Sequence, residues 1–245
     1  MRKPIIAGNW KMYKTLSEAT DFIKALKPLV ADVHDTGIVI CAPYPVLKDI
    51  ADEAADSNIE IGAENLFWED EGAFTGEVSG PMLLAVGCRY VIIGHSERRQ
   101  YFGETDETVN KKLFAAIKHT LLPIICVGET LEQREKNETF KVIEKQIKDG
   151  TKGLGAGDWG KVVIAYEPVW AIGTGKTATP EQAQEVHAYI RKLLPKDIAN
   201  DIRILYGGSV KPDNIKELMA KPDIDGGLVG GASLKVDSFV KLIKH

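Results

Sequence analysis

Short apolar runs alternate along the chain with longer segments in which apolar residues recur every three or four positions. Most of the short runs, such as IVICA and KVVIAY, are continuously apolar. Continuous runs are typical of parallel strands covered on both faces, whereas half-exposed strands alternate apolar and polar residues. The pattern predicts eight strands, at residues 4–8, 37–42, 59–63, 90–93, 123–127, 161–166, 202–206 and 227–229.

The segments between these runs are predicted to be helices. Their apolar spacing matches one face of a helix, and several begin with capping residues. Thr179, Pro180 and Gln182 combine a capping box with a proline at the first helical position, which predicts a helix start there. The other predicted helices lie at residues 17–30, 45–55, 82–86, 105–118, 131–148, 212–219 and 236–243.

Strand and helix units repeat from one end of the sequence to the other. Eight units in 245 residues average about 31 residues each, the size of one βαβ step. No linker rich in proline, glycine or serine divides them, so we expect residues 1–245 to form one domain. The predicted fold is an α/β protein, a single-domain (β/α)8 barrel with eight parallel strands, and an open doubly wound sheet is the second possibility.

Composition and charge restrict the function classes. The net charge of −4 and the pI near 5.8 argue against a nucleic-acid partner. No apolar run approaches the length of a membrane span, and the first residues lack the apolar stretch of a signal peptide. Cys41, Cys88 and Cys126 each lie inside an apolar run, which indicates reduced core thiols. We therefore expect a cytoplasmic protein without nucleic-acid or membrane partners.

Polar and glycine residues follow most of the predicted strands. In a barrel, the carboxyl ends of all strands meet at one rim, where active sites lie. Each of these residues alone is more typical of a turn or a cap, so their coincidence on one rim is what indicates a site. They are Asn9, Lys11, Asn65, His95, Glu97, Glu167, residues 207–209 and residues 230–231.

The segment after the sixth strand is predicted to be a hinged lid. Gly175, Lys176 and Thr177 match the end of a phosphate-binding loop motif, but Trp170 stands where that motif requires glycine. A dinucleotide fingerprint fits equally poorly because the helix starts only after Thr179. An apolar tip between two prolines instead suits a flap that excludes water. The lid residues are Pro168, Val169, Trp170, Ala171, Ile172, Gly173, Thr174, Gly175, Lys176, Thr177 and Ala178.

Two further features suggest the ligands. The glycine pairs after strands seven and eight let backbone N–H groups approach an oxyanion, which predicts a small phosphorylated substrate, although tight turns explain each pair separately. The histidines other than His95 are scattered and form no metal-binding motif, so we expect no metal site. Residues 66–81 form a long loop with Phe67, Trp68 and Phe74, which predicts a partner subunit over these rings.

The motifs resemble those of the triosephosphate isomerase family along the entire chain. The matching strings are GNWKM at 8–12, GAFTGE at 72–77, IGHSERR at 93–99, AYEPVWAIGTG at 165–175, YGGSV at 206–210 and VGGA at 229–232. The resemblance implies a TIM barrel that interconverts dihydroxyacetone phosphate and D-glyceraldehyde 3-phosphate through an enediolate, without a cofactor. It also implies a homodimer through the loop 66–81, with Phe74 and Thr75 as contacts and Thr75 near the partner's active site.

The same resemblance implies a role for each site residue. Glu167 would be the base, and neutral His95 would polarise the carbonyl as electrophile. Lys11 would supply positive charge, Asn9 a hydrogen bond, and Glu97 a further proton-handling group. The backbone N–H groups of Gly173, Ser209, Gly230 and Gly231 would bind the phosphate. The alternatives are a phosphosugar lyase or aldolase on the same barrel, which would need an interior lysine for a Schiff base, and a non-catalytic phosphate-binding protein.

Overall fold

A closed parallel barrel forms the centre of the molecule. The computed structural model describes residues 2–172 and 177–245. Neighbouring strands pair in chain order, and the eighth strand pairs with the first, which closes the barrel and excludes the open sheet. The predicted TIM barrel is therefore confirmed. The strands are β1 Ile5–Asn9, β2 Gly37–Ala42, β3 Ile59–Ala63, β4 Tyr90–Ile93, β5 Leu122–Val127, β6 Val163–Tyr166, β7 Arg203–Tyr206 and β8 Gly226–Val229.

The helices mostly match the predicted segments. Capping boxes at Thr15, Thr105, Thr130 and Thr179 start four of them, and the box at Thr179 is the one that the sequence predicts. The helices of the described residues are α1 Leu16–Val30, α2 Leu47–Ala54, α3 Gly80–Ala85, α4 Ser96–Phe102, α5 Asp106–Lys118, α6 Leu131–Glu135, α7 Thr139–Gly150, α8 Pro180–Leu193, α9 Ile215–Met219 and α10 Val236–Ile243.

Two helix predictions need correction, and one helix was not predicted. The single helix expected over residues 131–148 is two helices, because Asn137 adopts a φ of 58° in the left-handed region between them. The segment 45–55 begins with a 3-10 turn at Tyr44–Val46 before α2. Helix α4 is not among the predicted helices. It starts after His95, which is not a usual capping residue, and it ends at Gly103 with a φ of 66°.

Alternate strand residues fill two separate cores. The smaller core, inside the barrel, takes residues such as Ile5, Ala7, Val163 and Ala165, and the larger one lies between the strands and the helices. Side chains of a strand alternate between its two faces. Asn9 and Glu167 continue the inward alternation of β1 and β6, so this period of two turns both side chains toward the barrel axis at the carboxyl rim.

The cysteines and the long loop complete the fold. Cys41, Cys88 and Cys126 are buried and unpaired, as predicted. The loop begins at Leu66 but is shorter than the expected 66–81, because Gly80 and Pro81 already belong to α3. Its Phe67 ring stacks on Trp68 and Phe74 at centroid distances of 4.0 and 4.7 Å. Among the described residues, no helix is long and apolar enough to cross a membrane.

Candidate active site

A cavity of about 390 Å³ opens at the carboxyl rim of the barrel. It brings together side chains from strands that are far apart in sequence, which the rim position of their residues predicted. Every predicted catalytic or substrate-binding residue that the structure describes lines it, with the exception of Glu97. These residues are Asn9, Lys11, His95, Glu167, Ser209, Gly230 and Gly231. Gly173 lies outside the described residues.

Glu167 is held between two partners at the end of β6. Its carboxylate is buried, with Oε1 2.9 Å from Nε2 of His95. The backbone N–H of Ser96 donates to Oε2 at 2.9 Å. Both contacts come from the first residues of α4, 71 and 72 positions away in sequence. The carboxylate is thus oriented by two donors, as a base requires before it meets its substrate.

The hydrogen bonds of His95 define its tautomer. The backbone N–H of Glu97 donates to Nδ1 at 3.2 Å, so Nδ1 acts as an acceptor. The ring proton then lies on Nε2 and is donated to Glu167. Because Nδ1 accepts from the first turn of α4, adding a second proton to the ring would break this bond. The local geometry therefore favours the neutral imidazole.

Burial and mutual attraction set the pKa values of this pair. Burial raises the pKa of Glu167, but His95 and the Ser96 N–H more than offset it, so the net pKa is lowered. Burial lowers the pKa of His95, and the charge and hydrogen bond of Glu167 raise it to a net value above the ordinary one. The increase for His95 thus depends on the carboxylate remaining beside the ring.

Lys11 reaches the cavity from the end of β1. Its φ of 55° lies in the left-handed region, and its N–H donates to Oδ1 of Asn9 at 3.2 Å. The ammonium Nζ bonds to Oε1 of Glu97 at 2.5 Å. The other carboxylate oxygen of Glu97 lies 3.7 Å from Nδ1 of His95. Glu97 therefore lies between the Lys11 ammonium group and the His95 ring, but it does not line this cavity.

The glycines of the rim differ in the space around them. A Cβ on Gly207 would lie 2.8 Å from Cγ of Glu167, and one on Gly230 would lie 3.5 Å from Cε of Lys11. A Cβ on Gly231 would meet no atom of the described residues within 4 Å. The absence of a Cβ on Gly207 thus allows the Glu167 side chain to pack against its backbone, whereas Gly231 faces open space. The open space beside Gly231 and Ser209 gives a ligand access to backbone N–H groups.

Comparison with known proteins gives this arrangement a family. A sequence profile described as Triosephosphate isomerase matches residues 4–245. The chain is 59% identical to the triosephosphate isomerase of Endomicrobium trichonymphae and 60% identical to that of Moorella thermoacetica. Each alignment covers 100% of this chain and 99% of the relative. The chain belongs to the triosephosphate isomerase family. A similar relative from Geobacter metallireducens is 59% identical, with 100% of this chain and 99% of the relative covered.

The predicted lid begins as a packed turn in this family member. Val169–Ala171 forms a 3-10 turn directly after Pro168. Trp170 Nε1 donates to Oε1 of the fully buried Glu129 at 2.8 Å, and the backbone N–H of Val169 donates to the Glu129 carbonyl. Ile172 lines the substrate cavity. Thr177 and Ala178 follow before α8, while Gly173, Thr174, Gly175 and Lys176 lie outside the described residues.

Sequence analysis missed several residues around the site. Ser96 contributes only a backbone N–H, which has no residue-type signal. Glu129 binds Trp170 and the hydroxyl of Tyr166 from another loop, and no local pattern indicates that contact. Lys211 lines the substrate cavity, and its position two residues after Ser209 could have indicated it.

A second cavity of about 320 Å³ adjoins the substrate cavity. Glu64, Glu97 and Lys11 line it together with Met12 and Phe102. The side-chain oxygen Oε1 of Glu64 is buried without a hydrogen-bond partner among the described residues. Burial raises the pKa of Glu64 to about 8, although the Lys11 backbone N–H acts in the opposite direction. No group of three His, Cys, Asp or Glu among residues 2–172 and 177–245 is arranged to hold a metal ion.

Proposed function

We propose that this protein interconverts dihydroxyacetone phosphate and D-glyceraldehyde 3-phosphate, as the names of its relatives indicate. The observation that carries the proposal is the contact between Glu167 and His95 in a cavity that Lys11 also lines. A buried carboxylate, an imidazole and an ammonium group are the base, the acid and the positive charge that an enolisation needs.

Glu167 is proposed as the base that moves a proton between the two carbons. Its lowered pKa keeps the carboxylate ionised at neutral pH. Both of its oxygens are bonded, to Ser96 and His95, so the carboxylate would turn from these partners toward the reacting carbon. A short rotation of a buried, ionised base places the charge close to the reacting carbon with little water around it.

His95 is proposed as the electrophile in its neutral form. The main cause that raises its pKa is the Glu167 carboxylate. When that carboxylate turns to the substrate, burial and the Glu97 N–H favour the neutral ring, and burial outweighs the Glu97 carboxylate, whose charge raises the pKa of His95. The Nε2 proton is then free to bond to the substrate oxygen. The neutral ring gives a proton to one substrate oxygen and takes a proton from the other, so the ring is neutral again after the transfer.

Asn9 and Lys11 are proposed to stabilise the negative charge that develops on these oxygens. Ser209, Gly230 and Gly231, with Gly173, are proposed to bind the phosphate through backbone N–H groups, which the open space at Gly231 supports. Residues 168–178 would close over the intermediate and exclude water. Glu97, bonded to Lys11, would hold the ammonium group in position.

A homodimer is proposed through the loop 66–81, with Phe74 and Thr75 at the contact. Phe74 is 44% exposed, and Met12, Phe102 and Met82 expose more than half of their side chains. Exposed apolar surface of this extent is typical of an interaction site. The cavity beside Glu64 and Lys11 gives a loop tip such as Thr75 a place next to the active site.

We propose that residues 1–245 act as one barrel domain in cytoplasmic glycolysis and gluconeogenesis. The continuous β1 to α10 repeat supports the single domain. The three buried thiols suit a reducing compartment.

A coupled assay from either triose phosphate tests the activity. We expect turnover with both substrates, and a purified, folded protein without turnover would contradict the proposal. The comparisons offer no support for a lyase or aldolase. Borohydride trapping with substrate separates that alternative, since only a Schiff-base enzyme would gain a covalent adduct on a lysine.

A further inference from the structure

The side chains assigned to the reaction do not attract an anion by their net charge. Lys11 is paired with Glu97 at 2.5 Å, and Glu167 adds a buried negative charge. These three groups together carry one net negative charge, and the whole chain carries −4. A phosphate dianion approaching the cavity would therefore be repelled at long range unless another cation lies at the rim.

Lys211 is the cation in the right place. It lines the substrate cavity together with Ser209 and Gly230, and its side chain is exposed. Its ammonium group makes no hydrogen bond or ion pair with another residue in the part of the chain that the structure describes. In contrast to Lys11, its charge is thus not cancelled by a neighbouring carboxylate.

The backbone around Lys211 is fixed. Its N–H donates to Oδ1 of Asn214 at 2.8 Å, and Nδ2 of Asn214 donates to the Ser209 carbonyl at 2.9 Å. The loop from β7 to α9 is thereby tied into a turn that keeps Lys211 next to the phosphate-binding N–H groups. Only its flexible four-carbon stem is free to follow a ligand.

We propose that Lys211 is a phosphate-steering residue of the substrate cavity, whose unpaired charge draws the dianion toward Ser209, Gly230 and Gly231. This inference rests on the isomerase function proposed above. An exposed ammonium group gives a long-range attraction that salt screens within about 8 to 10 Å at physiological ionic strength. Lys211 therefore acts mainly on substrate capture, while Lys11 and the N–H groups hold the phosphate once it is bound.

The test replaces the charge and varies the salt. For Lys211→Met at an ionic strength of about 20 mM, we expect kcat/KM to fall about three- to tenfold, chiefly through KM. At about 300 mM the difference should shrink to less than twofold. Lys211→Arg should retain the unaltered values. Lys216→Met is the matched control, because Lys216 is exposed, carries the same charge and does not line the cavity.

Inorganic phosphate gives a readout that does not need turnover. Calorimetric titration of the unaltered protein and the three variants should show weaker phosphate binding for Lys211→Met alone, with the same salt dependence. Equal effects of Lys211→Met and Lys216→Met, or a loss that does not depend on salt, would overturn the inference. A protein that binds phosphate as expected but lacks isomerase activity would contradict the proposed function and leave the steering role supported.

Discussion

Glu167 Oε1 lies 2.9 Å from Nε2 of His95, so the proposed base and the proposed electrophile are hydrogen-bonded to each other. The contact explains why the pKa of Glu167 is lowered and that of His95 raised. Substrate entry must separate the two groups. The pair thus keeps a buried carboxylate ionised until the substrate replaces the imidazole as its partner.

Shortening the base by one methylene tests its position. Glu167→Asp moves the carboxylate away from both the Ser96 N–H and the substrate side. We expect kcat to fall by about two to three orders of magnitude with the fold intact, because small misplacements of a catalytic group are costly. Steady-state kinetics with circular dichroism measures this. Turnover within a factor of two of the unaltered protein would remove Glu167 from its proposed role.

Two glycines of the rim should respond differently to alanine. A Cβ on Gly207 would lie 2.8 Å from Cγ of Glu167 and 3.2 Å from the Tyr166 carbonyl, so Gly207→Ala should displace the base. We expect kcat to fall at least about tenfold. Gly231→Ala meets no atom within 4 Å in the described structure, so the fold should be unaffected while KM rises because the phosphate loses space.

Gly160→Ala is the control for both glycine variants, since it also meets no atom within 4 Å and lies away from the rim in a 3-10 turn. It should leave kcat and KM unchanged. Equal kinetics for Gly207→Ala and Gly160→Ala would show that the close packing against Glu167 has no catalytic consequence.

The partly buried Glu64 predicts a free energy of unfolding that declines with rising pH. Its folded pKa of about 8 lies above the ordinary value of 4.5, so the folded state holds a proton that the unfolded state has released between these values. Its stabilising contribution is therefore complete below pH 4.5 and is lost as the pH rises through 8. Glu64→Gln should increase the free energy of unfolding by about 2 kcal/mol at high pH and by little in acid.

Urea unfolding at fixed protein concentration across this pH range measures the effect. Glu69→Gln provides a control, because Glu69 is exposed and lies in the adjoining loop. A gain for Glu64→Gln that is the same at every pH would argue against titration of the carboxyl group as its cause.

The hydrogen bond from Trp170 to Glu129 should stabilise the start of the lid. Trp170→Phe keeps a ring for the Arg134 guanidinium, which lies 5.0 Å from the indole centroid, but removes the 2.8 Å bond to the carboxylate. Hydrogen bonds to charged groups contribute about 1.5 to 3 kcal/mol, so unfolding should require about that much less free energy. Trp68→Phe should cost less in the same urea titration, because the Trp68 indole makes no side-chain hydrogen bond with the residues that the structure describes.

The proposed dimer contact is open to a direct mass measurement. Phe74→Ser removes an exposed ring that stacks on Phe67, so we expect light scattering to report a single chain of 26.9 kDa where the unaltered protein gives twice that mass. Phe140→Ser is the matched control, since Phe140 is 37% exposed on α7 and stacks on Tyr189. An unchanged mass for Phe74→Ser would contradict the proposed interface.

The local sequence pattern was sufficient to predict the barrel and the inward direction of the Asn9 and Glu167 side chains. Continuous apolar runs gave strand bounds that differ from the structure by at most two residues. The alternation within β1 and β6 directs Asn9 and Glu167 to the barrel interior, because side chains alternate along any strand. Capping boxes at Thr105 and Thr179 set helix starts through contacts between neighbours in sequence.

Local pattern was not sufficient where a residue's neighbours are distant in the chain. Asn137 breaks a helix that apolar spacing predicts to be continuous, and its left-handed φ of 58° is not encoded in that spacing. Helix α4 begins directly after His95, where the Ser96 N–H and the His95 ring both contact Glu167, a residue about 70 positions away in the chain.

The sequence by itself determined the eight strand and helix units, the common rim and the residue types available there. Only the tertiary structure decided that β8 closes on β1 and that the Ser96 N–H orients Glu167. It also decided that, among residues 2–172 and 177–245, a buried oxygen of Glu64 has no hydrogen-bond partner and Lys211 lines the cavity without a carboxylate partner. The reason is physical: periodicity encodes which face of an element is buried, whereas the pairing of polar groups depends on distances that exist only after the strands have closed into a barrel.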